Sequence, residues 1–80
     1  MTQIESIFEI KEAVIDLQKY LNSRDRIVSK RAQMRYQQWV DRFIRENKHF
    51  VKLEQRISCL NDPLCFLKLM NEAIEHYDGN

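Results

Sequence analysis

Glycine and proline are nearly missing from this 80-residue chain, which has one of each. Between Arg24 and Asp62 there is neither, so nothing in that stretch obliges the backbone to turn. Cysteine is equally scarce. Both cysteines lie in one segment, Cys59-Leu60-Asn61-Asp62-Pro63-Leu64-Cys65, together with the single proline. No apolar run approaches the roughly 18 residues of a membrane-spanning helix. The opening MTQIESIFEIKE is acidic and lacks the basic start and apolar centre of a signal peptide. A cytoplasmic location with reduced thiols is therefore expected. Internal repeats and low-complexity tracts are absent.

Catalytic signatures are missing too. There is no glycine-rich phosphate loop, no nucleophile motif and no Cys–His pair at a workable spacing. A tetrahedral metal site needs about four ligands. His49 stands ten residues before Cys59 and His76 eleven after Cys65, which on helices is about 15 Å. Glu72 and His76 are one turn apart, but no second copy of the pair exists to build a di-metal bundle. The chain thus reads as a non-enzyme with no catalytic, cofactor-binding or metal-ligating residues.

What is present is an ordinary globular balance, 44% apolar and 31% charged residues. A chain of this length makes one domain, residues 1–80. It buries only about 60% of the surface its unfolded form exposes, so its stability is marginal.

Three amphipathic patterns follow one another. Thr2-Gln3-Ile4-Glu5 has the form of a capping box. Behind it Ile7, Ile10, Val14, Leu17 and Leu21 recur at three and four residues, which predicts a first helix over about 4–21. Tyr36, Phe43, Phe50 and Ile57 then recur every seven residues, with Trp39, Leu53 and Leu60 between them and Glu46 as the one flaw. A second helix over about 25–60 is the expectation. The alternative is a break near Asn47, giving four shorter helices. Asp62-Pro63 is a helix start, with Asp as N-cap and Pro at the first helical position. Phe66, Leu67, Met70, Ile74 and Tyr77 line a third helix over about 63–77, with Gly79 as its C′ residue. The two cysteines read as small apolar side chains packing the corner between helices. A disulfide and a reactive Cys65 thiol are the alternatives.

Short loops make neighbouring helices antiparallel. The expected fold is all-α, a three-helix antiparallel bundle with a long central helix, the first helix covering one half of it and the third the other. Two helices enclose no core, so apolar flanks would stay open at Val40, Ile44, Val51, Leu64 and Leu69. These are the candidate protein-interface residues. They imply a protein partner or self-association as a homodimer.

Charge points to an alternative. Residues 24–56 hold ten Lys or Arg against four Asp or Glu, while the segments on both sides are net acidic. Arg31, Arg35, Arg42, Arg45, Lys48, Lys52 and Arg56 are candidates for nucleic-acid phosphates, with Tyr36, Trp39 or Phe50 stacking on bases. Against this, the aromatics fall on the core stripe. Net charge is only +1 and the pI about 7.8, below the basic footprint of a nucleic-acid binder. The favoured function is a small interaction module of adaptor, regulator or chaperone-like kind.

The segments MTQIE, RYQQWVDRF and LEQRI resemble the small helical-hairpin co-chaperones of bacterial type III secretion needles. That resemblance implies a helical hairpin and a protein partner. It transfers no functional residue, and the third helix has no counterpart in such a hairpin.

Overall fold

The computed structural model describes residues 3–59 and 61–78, apart from the side chain of Leu53. Within them the chain is all-α: α1 spans Gln3–Leu21, α2 Arg26–Glu46, α3 Leu53–Cys59 and α4 Pro63–Asp78. Thr2 of the capping box, Leu60 of the heptad stripe and the C′ residue Gly79 lie outside the described residues.

The first helix follows its apolar spacing. Ile7, Ile10, Val14 and Leu17 are buried, with Leu21 packed partly exposed beside them. After Leu21 the chain reverses, and Asp25 caps α2. Its backbone is extended (φ −74°, ψ 115°) and its carboxylate accepts from the Ile27 and Val28 N–H groups at 2.9 and 3.3 Å. Ser29 ties the two helices by donating to the Leu21 carbonyl.

The long central helix is not formed, and the three-helix bundle built on it is corrected to four discrete helices. The break comes at Asn47, whose backbone (φ −126°, ψ 39°) leaves the helical region. No glycine or proline is needed, because the Asn47 side chain is a buried polar hub. Its amide Nδ2 donates to the Phe43 carbonyl at 2.8 Å. Its Oδ1 accepts from Gln3 Nε2 at 2.7 Å and from the Tyr77 hydroxyl at 3.0 Å. Gln3 also donates to the Glu46 carbonyl, a last-turn acceptor with no partner inside the helix. The Asn47 carbonyl then accepts from the Phe50 and Val51 N–H groups, closing the turn. α3 restarts after Lys52, whose N–H donates to the Gln55 side chain, half of a capping box.

Magnitudes explain why the chain bends. An interrupted helix forgoes hydrogen bonds worth about 1 kcal/mol each. Folding back lets α4 seal the core, and fully burying side chains such as Phe66 and Met70 stabilises by about 1.5–3 kcal/mol each. α1 packs against both α2 and α4, and α3 against α4. The Phe66 ring meets Tyr36 and Phe43 edge-on, with centroids 5.8 and 5.3 Å apart. The heptad stripe is accordingly cut in two. Tyr36 and Phe43 are core, Trp39 and Phe50 are half-buried, and Ile57 is 68% exposed.

Candidate interaction surface

The break decides where the sequence-derived interface residues go. Val40 and Leu69 are buried in this chain's own core, and Ile44 and Val51 pack partly buried against it. Leu64 alone of the five faces solvent, at 73% exposure. The open flanks foreseen for a straight helix are thus largely closed within the chain's own core.

A different surface emerges on the outer side of α2. Ile27, Arg31, Met34, Gln38 and Arg45 follow one another at four, three, four and seven residues, which places them on one side of the helix. All five are exposed, including the large apolar Ile27 and Met34 at 65% and 57%. Arg35 and Arg42 stand on the flank toward α1, and Trp39 beyond them is half-buried. Arg35, Gln38, Trp39, Arg42 and Arg45 line an open cleft of about 440 Å³. Arg35 also belongs to a second cleft, of about 240 Å³, lined by Leu17 and Tyr20 of α1 and by Val28, Arg31 and Ala32 of α2. The two clefts meet at Arg35 as one shallow basic groove, with Trp39 as the apolar wall of the first and Leu17, Tyr20, Val28 and Ala32 as those of the second.

Arg42 has little freedom within this groove. Its guanidinium reaches both Glu9 carboxylate oxygens at 3.4 and 3.2 Å, Ser6 Oγ at 3.3 Å and Glu46 Oε2 at 3.4 Å. It also lies over the Trp39 ring, 5.4 Å from its centroid. The Glu9 hydrogen bond leads the interactions that hold Arg42 protonated above its ordinary range, with Glu46 adding to it. The Glu46 carboxyl is lowered in turn, first by the Ser6 hydroxyl at 2.7 Å and then by Arg42. Glu46, the flaw in the heptad stripe, therefore joins α2 to α1 at the surface. Lys48, Lys52 and Arg56 are exposed but lie past the break, and they line neither cleft. The seven basic candidates are thus split into an α2 row and three residues beyond it.

The shared face of Arg31 and Arg45 with Ile27 and Met34, flanked by Arg35 and Arg42, was missed in the sequence. The only signal was one seven-residue spacing, Ile27 to Met34, out of phase with the core stripe and not continued, since the next position is the exposed Asp41.

Elsewhere, the Cys59 and Cys65 sulfurs are 2.9 Å apart as free thiols. Among the described residues no three His, Cys, Asp or Glu side chains converge as a metal site. No described helix is long and apolar enough to cross a membrane. These features define a small all-α globular domain with a basic, partly apolar groove along α2. No family model, no curated protein and no solved structure matches this chain, and the likeness to needle co-chaperones is carried no further.

Proposed function

We propose that this chain works by binding rather than catalysis, as a small cytoplasmic protein–protein interaction module of adaptor, regulator or chaperone-like kind. Its docking surface is the outer face of α2, and its partner presents an acidic amphipathic helix. One observation carries this reading: exposed Ile27 and Met34 share a helix face with Arg31 and Arg45 and border a groove containing Arg35 and Trp39. Apolar residues of a partner helix would bury against Ile27, Met34 and the groove walls. Its carboxylates would meet the arginines on the rim, which set orientation and specificity.

Three features favour a protein over a polynucleotide. Arg, Trp and Met are the residue types enriched at protein interfaces, where Lys is depleted, and no Lys lines either cleft. Arg42, the innermost arginine, is already engaged by the Glu9 and Glu46 carboxylates, which costs more to a ligand held by charge alone than to one held also by apolar contact. Two exposed apolar side chains on that face would gain nothing from a phosphate backbone.

The test is a titration monitored by fluorescence anisotropy. One probe is a synthetic helical peptide with Leu at heptad a and d positions and Glu elsewhere; the others are DNA and RNA oligonucleotides. Binding of the peptide, weakened about tenfold or more by Met34→Asp and by Arg35→Glu, is the expected result. Oligonucleotide binding that falls steeply between about 50 and 200 mM salt, with no peptide binding, overturns it in favour of nucleic acid. A stable dimer of the free chain in light scattering, with the peptide excluded, overturns the choice of occupant and assigns the face to a second copy.

A further inference from the structure

The corner between α3 and α4 holds chemistry that the docking surface does not use. Cys59 is the last residue of α3, and Cys65 lies in the first turn of α4. Hydrogen bonds of Asp62 tie the two cysteines' backbones together. The Asp62 N–H donates to the Cys59 carbonyl at 3.3 Å, and the Asp62 carboxylate accepts from the Cys65 N–H at 3.2 Å. The Tyr36 hydroxyl, from the core side, donates to the same Cys59 carbonyl. The outcome is two free thiols with sulfurs 2.9 Å apart.

Their surroundings differ. Cys59 is 1% exposed, whereas Cys65 is half-buried. Both line an open cleft of about 240 Å³, with Glu54, Ser58, Lys68 and Glu72 along its sides. Burial first, and then the hydrogen bond and charge of Cys65, push the Cys59 thiol up to about 12. Cys59 is thus held as a neutral thiol while Cys65 faces the cleft.

We propose that Cys59 and Cys65 are a reversible oxidation site, closed into an intramolecular disulfide by exchange with a small disulfide of the glutathione class. Cys65, as the thiolate, attacks one sulfur of the incoming disulfide. A mixed disulfide forms on Cys65, and one glutathione leaves as thiolate and takes up the proton that Cys65 lost. Cys59 then loses its proton to solvent and attacks the Cys65 sulfur. The bond to the second glutathione breaks, and that glutathione leaves as thiolate and is protonated. Two protein thiols are oxidised and one glutathione disulfide is reduced to two thiols. Capping Cys65 also removes the two Cys65 contributions that help to hold Cys59 protonated.

Oxidation changes how α3 is held. At seven residues it is shorter than any helix that is stable alone in water. Reduced, it rests on α4 and its capping bonds; oxidised, its last residue is covalently fixed to the start of α4. A ring of this size raises the melting temperature of a domain of this length by about 10 °C.

The full chain is incubated in glutathione buffers of graded redox ratio, quenched with acid, alkylated and weighed intact. Two alkylated thiols should pass to none in a single transition, with no retained glutathione and with the melting temperature rising as stated. Cys59→Ser should keep a persistent glutathione adduct on Cys65, and Cys65→Ser should take up none. Two alkylatable thiols in glutathione disulfide alone, or disulfides formed between chains, overturn the proposal. The unsubstituted chain decides this by itself, so a folding defect in the buried Cys59 variant does not alter the outcome.

Discussion

The chain reverses on both sides of α3, and the two corners are made in opposite ways. At Asn61-Asp62-Pro63 the turn is built from neighbours. Asp62 caps α4 through the Cys65 N–H, Pro63 occupies a position that needs no donor, and Asp62 reaches back to the Cys59 carbonyl. At Asn47 the turn is built from afar. The side chain that stops α2 is bonded to Gln3 at the start of α1 and to Tyr77 near the end of α4. One corner is a property of a few consecutive residues, and the other exists only when three helices have met. A polar side chain with all its bonds made inside the protein can thus replace the glycine or proline that a local turn would use.

That contrast can be broken by substitution. The largest effect is expected at Asn47→Ala, which removes the Tyr77 hydroxyl's acceptor, one of the two acceptors of the Gln3 amide and the side-chain donor to the Phe43 carbonyl, all at a 2%-exposed position. Urea denaturation should show a loss of about 3 kcal/mol; a loss below about 0.5 kcal/mol would mean that the hub does not hold the corner. Tyr36→Phe comes next, since it removes the buried hydroxyl bonded to the Cys59 carbonyl. About 1.5 kcal/mol should be lost in the same measurement. Asp62→Ala removes a single N-cap and should cost about 1 kcal/mol, with α4 fraying at its first turn in amide exchange.

The smallest effect is electrostatic. The Glu46 carboxyl is lowered in the folded chain, so its contribution is present above its unfolded value and fades as pH falls through its folded one. Glu46→Gln should lower the melting temperature slightly at neutral pH, where the contribution is present, and match the unsubstituted chain at low pH, where the carboxyl is protonated, so that the fall of the profile through the acid range is flattened. An unaltered acid profile would show that the Ser6 and Arg42 contacts are too solvent-exposed to matter.

Local and distant corners also differ in how far they could be read from sequence. Asp62-Pro63 was legible because cap chemistry resides in adjacent residues. The face of α1 was legible because Ile7, Ile10, Val14 and Leu17 repeat within one element. Asn47 offered only a permissible breaker, since its partners stand 44 and 30 residues away. The interface inherited that error. Val40 and Leu69 stay open only if the helix is straight, and its bending buries them. The arginines of α2 were legible as charge, but the single spacing from Ile27 to Met34 was hidden behind the longer aromatic repeat. Lys48, Lys52 and Arg56 left the row for the same reason that the helix ended.

The long reach of the Gln3–Asn47 bond has a consequence in time. The corner at Asp62 can form as soon as its few residues are free to turn, within the time of closing a short loop. The corner at Asn47 must wait until a loop of more than forty residues has closed and α1 has docked. The start of α4 should therefore be an early event in folding, and the end of α2 a late one. Stopped-flow kinetics would register Asp62→Ala mainly as slower folding and Asn47→Ala mainly as faster unfolding. A bond placed so late acts as a latch, determining how long the native chain stays closed more than how quickly it arrives.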